Sequence, residues 1–327
     1  NNVPAHRLKV RRCHWLLAAA LAAASANAEE PTIRVTAQPA PAYKEITTTG
    51  QAVNFDFIVE NLSDQDWVLQ AIELSVYDAA RKLQIRKLVN DNGNSPGIAT
   101  LNRREVGPGK RVLIFNPFVS FSAGIELSTL VYRFNWTSKA DARTFESQLT
   151  VRPQAYPPKT TLRLPLDGRI IVWDGHDFYA HHRRFDYLAP GAQEDGSRSN
   201  PDRYAYDFIP VDAAGAMLKG DPAVNASWFG FERPVYAAGA GRVVAVSDDS
   251  PDNREVDLAR FTVNRLADYG NYILIEHGSG EYALYGHLRQ GSATVTAGSS
   301  VRRGERIAAL GASGSALMPH LHFQLQT

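Results

Sequence analysis

The chain has 327 residues, of which 44% are hydrophobic and 21% are charged, and its formal net charge is +1. This length allows two domains, each with a hydrophobic core of its own. The near-neutral charge, with no basic run after the first dozen residues, argues against a nucleic-acid partner.

The first 28 residues have the three-part pattern of a secretory signal peptide. Basic residues such as Arg7 and Arg12 precede an apolar run over residues 15–24, and Ala26-Asn27-Ala28 then forms an A-x-A-like cleavage site. The apolar run is too short to span a bilayer. We therefore expect an exported protein, periplasmic or secreted, with no integral membrane segment once the signal is removed.

The only cysteine, Cys13, lies inside this signal. The mature chain is therefore expected to contain no cysteine, which excludes disulfides, a cysteine nucleophile and a thiolate zinc site. Cys13 also precedes the apolar run instead of following it, and this order argues against a lipid-anchored protein.

Residues 29–151 follow the two-residue period of β-strands. Within 53–59, the residues Val, Phe, Phe and Val alternate with Asn54, Asp56 and Ile58, which is close to the pattern of a half-buried strand. Several such short strands, separated by turn signals, predict an antiparallel β-sandwich of immunoglobulin type. The acidic residues are scattered as on a solvated face, so we interpret this domain as a binding or spacing module.

The proline-rich segment 152–167 predicts a stiff linker. A second β-rich domain over 168–327 follows, and the overall fold class is expected to be all-β. Its strands are predicted near Arg242–Ser247, Asn271–Glu276, Tyr282–Leu288, Arg306–Leu310 and His320–Gln326. The polar insert Asp248–Tyr269 is long for a hairpin loop, which favours a functional role.

Because the chain ends at Thr327, directly after a strand, and lacks an initial methionine, we expect a domain truncated at its C-terminus.

The histidines are concentrated in the second domain. Of nine in the chain, all but two lie between His176 and His322. Histidine is the commonest metal ligand and titrates near neutral pH, so such confinement indicates a metal or acid/base site. On a strand, His320 and His322 share one face with Gln324, while the apolar residues between them face the core.

Two further residues qualify as site candidates on their surroundings. His287 lies at the end of a predicted strand. Asp207 lies among aromatic and apolar neighbours, where a carboxylate is costly unless it is paired or binds a metal. The alternative for Asp207 is an ion pair with Arg203, four residues earlier.

Several motifs occur in an order that resembles the lysostaphin-type (LytM-like) metallopeptidases. They are RYAYDF at 203–208, GHL at 286–288, GASGS at 311–315 and HLHF at 320–323, and the resemblance covers roughly residues 162–327. It implies a Zn²⁺ cofactor and the peptide cross-links of bacterial peptidoglycan as substrate. By the same resemblance, Asp207 and His322 bind the metal, while His320 and His287 assist catalysis, His320 by accepting a proton and His287 by stabilising an oxyanion.

The chain departs from the family pattern at the remaining ligand. The usual histidine lies four residues before the aspartate, where this chain has Arg203, which cannot lose its proton to bind a metal. Resemblance to a subgroup with an RYA-x-D segment implies a histidine from farther upstream. We favour His182, with His181 as the alternative and His176 as a third choice. On a strand His181 and His182 would point to opposite faces, so that only one binds.

Competing functions are less consistent with these motifs. A serine hydrolase fits poorly, because Ser315 occupies the last glycine position of G-x-S-x-G. The helical H-E-x-x-H zinc motif is absent from the sequence. The main alternative is a non-catalytic relative that binds peptidoglycan or activates wall hydrolases and has lost metal ligands. Two histidines with one carboxylate are instead typical of a catalytic zinc site with an open fourth position.

Overall fold

Strands dominate the computed structural model of the chain, in agreement with the all-β prediction. It describes residues 33–47, 49–93, 97–175, 177–194, 196–278 and 280–327. The predicted signal and His176 lie outside the described residues. Those that are described belong to one compact unit. No helix within these ranges combines the length and apolar character needed to cross a bilayer.

In the described part of the chain, the N-terminal half forms three sheets from twelve strands. Their bounds are β1 Ile33–Gln38, β2 Tyr43–Ile46, β3 Gln51–Val53, β4 Asp56–Asn61, β5 Trp67–Tyr77, β6 Leu83–Val89, β7 Glu105–Val106, β8 Arg111–Ile114, β9 Ser120–Phe121, β10 Thr129–Ser138, β11 Thr144–Val151 and β12 Gln154–Ala155, with a 3₁₀ helix at Gly97–Thr100. The strand orders are β1-β4-β8, β11-β10-β5-β6 with β7 paired to β5, and β12-β2-β3-β9.

Alternating residues of β10 build the N-terminal core. Tyr132, Phe134 and Trp136 are all fully buried, as the two-residue period predicts. Phe57 of β4 meets the ring of Phe134 edge-on at a centroid distance of 4.9 Å. Burying each such large apolar side chain stabilises the fold by roughly 1.5–3 kcal/mol, so this aromatic row holds the β1-β4-β8 sheet against the β10 sheet.

The segment 53–59 differs from its prediction as a single half-buried strand. It contributes to two strands, and both of its faces are covered: Asp56 is 0% exposed and Ile58 is 4% exposed. The outer face packs against the segment 178–188, whose Tyr187 joins Ile58 in one apolar cluster. The expected solvated acidic face is therefore wrong at Asp56, because a distant part of the chain covers it.

The C-terminal half is built around one seven-stranded antiparallel sheet of order β13-β14-β21-β18-β17-β16-β19, beside the pair β15-β20. The strand bounds are β13 Ile170–Asp174, β14 Ala205–Pro210, β15 Pro234–Tyr236, β16 Gly241–Ser247, β17 Asn271–Glu276, β18 Tyr282–Leu288, β19 Ser300–Val301, β20 Arg306–Ala309 and β21 Leu321–Gln326. The helices are α1 Pro190–Glu194 and α2 Leu258–Val263, with 3₁₀ helices at Asn225–Ser227 and Arg265–Tyr269. All five predicted strands are present, each to within one residue at either end.

The proline-rich segment 152–167 makes contacts with both halves. Its strand β12 pairs in parallel with β2, and the hydroxyl of Tyr156 donates a hydrogen bond to Glu281. Leu166 is buried in the core beneath the seven-stranded sheet. The segment therefore contacts both halves at separate points, while most of its residues remain exposed.

Candidate metal centre

A row of directly opposed residues crosses four strands of the large sheet. Asp207 of β14 lies opposite Asp174 of β13 on one side and opposite His322 of β21 on the other. Gly286 of β18 continues the row beyond His322. A β-bulge between Val172 and Asp174 sets the register on β13, and bulges of this kind recur beside active sites. Opposed residues share a face of the sheet, so backbone pairing brings these side chains together.

Strand β21 has the alternation that its sequence predicts. Leu321 and Phe323 lie in the core below the sheet. His322 and Gln324 share the other face, where His322 Nε2 lies 2.8 Å from Gln324 Oε1. His320 lies just before the strand begins and reaches the same side.

Asp207 is the carboxylate on which three histidines converge. His322 Nδ1 and His320 Nε2 lie 3.1 and 3.4 Å from its Oδ1. His182 Nε2 lies 3.5 Å from its Oδ2. Burial alone would raise the pKa of Asp207, but hydrogen bonds to His320 and His322, and their charges, hold it well below its usual range. The carboxylate is therefore ionised at neutral pH and available to a cation.

The hydrogen bonds of His322 define which ring nitrogen is free. Gln324 Nε2 donates to the carbonyl of Pro201 at 3.4 Å, which turns its Oε1 toward His322 Nε2. That oxygen only accepts, so this network assigns the proton to Nε2. In a neutral ring, His322 Nδ1 then directs its lone pair at Asp207 Oδ1, whereas in a protonated ring it donates to that oxygen, 3.1 Å away. Two acceptors at this distance require a proton or a metal ion to bridge them.

The electrostatic setting of His322 also favours a cation. Burial lowers the pKa of His322, but its hydrogen bond to Asp207 and the charges of Asp202 and Asp207 outweigh burial and raise the pKa above the ordinary value. A position that stabilises a proton in this way stabilises other positive charge for the same reason.

His181 and His182 lie on a turn, so the strand considered for this pair is wrong. Residues 181–184 form a turn, and the backbone N–H of Arg184 donates to the carbonyl of Ala180 at 3.2 Å. The two side chains nevertheless diverge: that of His182 is 4% exposed and that of His181 is 71% exposed. The ring of His182 lies 4.9 Å from that of His322.

His182 has the electronic state that a metal ligand needs. Burial is the main cause that lowers its pKa to about 4, so the imidazole is neutral at neutral pH. Its Nε2 faces Asp207, and its Nδ1 points the opposite way and lies 3.8 Å from Asp174 Oδ2. Within the described part of the chain, this buried Nδ1 has no hydrogen-bond partner.

Asp174 belongs to the site but was not predicted. Its carboxylate contacts His181 and approaches His182. One donor atom each from Asp174, His181, His182 and Asp207 lie within 4.8 Å of one another. His182 and Asp207 are therefore common to two possible donor sets, one completed by His322 and one by Asp174 with His181. In the sequence, Asp174 is distinguished only by its position at the end of an apolar segment.

Arg203 does not pair with Asp207, so that alternative is excluded. Its guanidinium donates instead to Asn54 Oδ1 at 3.0 Å and to Asp56 Oδ2 at 2.8 Å. Both acceptors come from the N-terminal half. Arg203 occupies the position that usually supplies a zinc ligand in the family, and in this chain it contacts the N-terminal half instead.

His287 is held beside the site in a strained conformation. Its φ of 57° is in the left-handed region, which costs a non-glycine residue about 1–3 kcal/mol and recurs at functional sites. Its Nδ1 lies 2.8 Å from the carbonyl of Ser313, so Nδ1 donates and Nε2 is an acceptor. Its ring lies 4.6 Å from that of His320. Burial, followed by the charges of His320 and His322, lowers its pKa well below the usual value.

The glycine at 314 allows the loop 311–315 to reach His287. Gly314 has a φ of 68°, and a Cβ there would lie 2.4 Å from the carbonyl oxygen of Asp268. This close approach presses the loop against the 3₁₀ helix Arg265–Tyr269 and sets the Ser313 carbonyl against the imidazole.

Tyr269 and Asp202 complete the surroundings of His322 and were not singled out from the sequence. The hydroxyl of Tyr269 donates to Asp202 Oδ1 at 2.6 Å, and its ring lies 4.8 Å from that of His322. Tyr269 ends the polar insert Asp248–Tyr269, so the predicted functional insert borders the site.

Comparison with known proteins assigns part of the chain to a family. Residues 229–327 match peptidase family M23, a range that contains His287, His320 and His322 but neither Asp207 nor His182. The chain is 35% identical over 86 residues to the murein hydrolase activator EnvC of Escherichia coli, covering 26% of this chain and 20% of that protein. It is 37% identical over 92 residues to the peptidoglycan DD-endopeptidase ShyB of Vibrio cholerae, covering 28% of this chain and 17% of that protein.

Among solved structures, the chain is similar to the catalytic domain of lysostaphin from Staphylococcus simulans, with 22% sequence identity and a TM-score of 0.23. This match covers 34% of the present chain and 77% of the lysostaphin domain. The chain thus spans about a fifth of the length of the two curated relatives. The family match contains the GHL and HLHF motifs and the strands that carry them. Residues 229–327 are therefore a peptidase M23 domain of the LytM/lysostaphin type.

Proposed function

We propose that this chain is an exported zinc metallo-endopeptidase that hydrolyses peptide cross-links of bacterial peptidoglycan. The observation that carries the proposal is the convergence of two imidazole nitrogens, of His182 and His322, on the buried carboxylate of Asp207. His322 Nδ1 lies 3.1 Å from Asp207 Oδ1, and His182 Nε2 lies 3.5 Å from Asp207 Oδ2. A buried carboxylate between two imidazole nitrogens is stabilised by positive charge, which a metal ion can supply.

The donor set fits zinc. Two imidazole nitrogens and one carboxylate are typical of catalytic zinc sites, which keep the fourth position open. In the proposed site His182, Asp207 and His322 are the ligands, and Asp174 Oδ2 lies 3.8 Å from Nδ1 on the far side of the His182 ring. A zinc ion bound there would supply Lewis-acid chemistry, polarising a peptide carbonyl and making a water molecule more acidic.

His320 and His287 are proposed to move protons beside the metal. Each ring pairs its Nδ1 with a backbone carbonyl, His320 with Met318 and His287 with Ser313, both at 2.8 Å. Nε2 is therefore the nitrogen that remains in each ring for proton exchange with substrate, and that of His320 lies 3.4 Å from Asp207 Oδ1. Because neutral His287 presents an acceptor at Nε2, accepting a proton suits it better than the oxyanion-stabilising role expected from the sequence.

The substrate class is inferred from relatives and from the predicted signal. ShyB of Vibrio cholerae is a peptidoglycan endopeptidase by name, and an A-x-A-like export signal would direct this chain to the compartment that contains peptidoglycan.

Similarity to the E. coli protein EnvC, a murein hydrolase activator by name, supports a second candidate function. In this alternative the chain binds peptidoglycan or activates another wall hydrolase without catalysis. The complete set of His182, Asp207 and His322, with two histidines beside it, favours the enzyme.

Zinc content and hydrolysis measured on the same purified samples would distinguish these functions. We expect about one zinc per chain, as for a single three-ligand site, and release of new amino groups from purified peptidoglycan that a chelator stops and added zinc restores. Protein that binds no zinc at neutral pH, or that only accelerates an added wall hydrolase, would favour the activator.

A further inference from the structure

A buried carboxylate of the N-terminal half contacts two arginines of the C-terminal half. Asp56 is 0% exposed. Its Oδ2 accepts hydrogen bonds from the guanidinium groups of Arg183 and Arg203. Its Oδ1 accepts from the backbone N–H of Asn116 at 3.0 Å, which fixes the carboxylate on its own sheet. Asp56, Arg183 and Arg203 are called the Asp56 cluster below.

Both arginines are close in sequence to proposed zinc ligands. Arg183 directly follows His182, and Arg203 precedes Asp207 by four residues. One carboxylate therefore connects the turn that bears His182 with the segment that leads into β14. The nearest side-chain atoms of the two residues, His182 Nε2 and Asp207 Oδ2, are 3.5 Å apart. Because His182 lies on a turn, strand pairing does not fix this distance.

Secondary contacts fix the orientation of each guanidinium. Arg203 spans Asn54 Oδ1 and Asp56 Oδ2 at 3.0 and 2.8 Å, and Arg183 also donates to the carbonyl of Phe55 at 3.1 Å. A planar fork with several donors makes such a bridge, and a lysine ammonium does not reproduce it. The arginine at the usual ligand position therefore has a geometric role of its own.

The cluster differs from the exposed ion pairs of the same sheet. Arg34 and Glu60 pair at 3.0 Å with side chains that are 53% and 37% exposed, and pairs of that kind contribute little. Removing one partner of a buried pair leaves the other charge uncompensated and is strongly destabilising. In the Asp56 cluster the two arginines belong to the segments that carry His182 and lead into Asp207.

We propose that Asp56 is a positioning residue for the zinc site: by holding Arg183 and Arg203 it sets the position of His182 relative to Asp207. The inference rests on the proposed zinc site. It gives the N-terminal half a part in metal binding, in place of the separate binding or spacing module that the sequence suggested.

The test compares Asp56→Asn with Glu60→Gln in the full chain. Both residues lie on β4, and both changes convert a carboxylate to its amide. Zn²⁺ affinity is measured by competition with a chromophoric chelator, and the visible spectrum of the Co²⁺-substituted protein reports ligand geometry. We expect Asp56→Asn to weaken zinc binding about ten- to hundredfold, the scale for residues behind metal ligands, and to change the cobalt spectrum. Glu60→Gln should match wild type in both.

Arg203→Lys provides a second variant that keeps the charge in case Asp56→Asn does not fold. It should retain the wild-type circular dichroism and still weaken zinc binding with an altered cobalt spectrum. Wild-type affinity and spectrum in a folded Asp56→Asn or Arg203→Lys would overturn the positioning role while leaving the proposed function intact. Unfolding of both variants, with Glu60→Gln folded, would replace it by a general stabilising role. Wild-type protein without zinc would overturn the proposed function, and this inference with it.

Discussion

Asp207 and His322 lie on neighbouring strands and are opposed by backbone pairing, whereas His182 lies on a turn that packs against a different sheet. In the first case, hydrogen bonds of a regular ladder fix the distance between the two side chains. In the second, the distance depends on contacts between residues far apart in the chain. The family match does not follow this division, because it contains His322 but begins after both His182 and Asp207.

This contrast shows how one site combines a fixed and an adaptable part. A sheet position is difficult to move without shifting its neighbours, since a slip of one residue reverses every side chain. A turn is free to differ among relatives provided that something else holds it. In the proposed site the turn bears a histidine that replaces the usual ligand at position 203, and we propose that the N-terminal sheet holds this turn.

Replacing the sheet ligand should have the largest effect. His322→Ala removes the nitrogen opposed to Asp207 and leaves that carboxylate buried beside an empty position, so we expect loss of both zinc and hydrolysis. Metal analysis and amino-group release on the same sample are the measurements. Retention of zinc by this variant would contradict the assignment of His322 as a zinc ligand.

Replacing the turn ligand tests the other half of the comparison. His182→Ala should abolish zinc binding, because the buried imidazole faces Asp207. His181→Ala, on the exposed neighbour, serves as the matched control and should largely retain zinc. The reverse pattern would transfer the ligand to His181, and zinc retained by both would direct attention to His176.

Variants of the neighbouring histidines should separate proton transfer from metal binding. His320→Ala and His287→Ala are expected to keep zinc but to slow hydrolysis roughly a hundredfold or more, the usual scale for a general acid or base. The slowing should appear in kcat with zinc content unchanged. A His320→Ala protein without zinc would instead make His320 a ligand.

The loop at Gly314 should give the smallest effect. Gly314→Ala places a Cβ 2.4 Å from the carbonyl oxygen of Asp268 at a φ of 68°, so the loop must shift and the Ser313 carbonyl leaves His287. We expect activity to fall by less than in His287→Ala, with zinc retained. Gly298→Ala, also at positive φ but with no neighbour within 4 Å, controls for backbone strain alone, and equal losses in both would contradict the loop's role.

The features that were predicted correctly from the sequence are those that depend on the local alternation of apolar and polar residues. The alternation over 320–325 and the bounds of the five predicted strands of the second domain were found as expected, because successive residues of a strand face opposite sides. The strands at Ile170–Asp174, Ala205–Pro210, Pro234–Tyr236 and Ser300–Val301 were not predicted. The turn at 181–184, the burial of Asp56 and the part played by Asp174 were not predicted. Each depends on which distant segment covers or opposes a residue, and the period of one segment contains no information on that.

Anomalous diffraction at the zinc edge, on crystals of the zinc-loaded protein, tests the central claim most directly. The proposed site predicts one peak per chain, bounded by His182 Nε2, the Asp207 carboxylate and His322 Nδ1, with Asp174 behind the His182 ring. A peak held by Asp174 and His181 with His322 outside its coordination sphere, or crystals with no zinc peak, would contradict it.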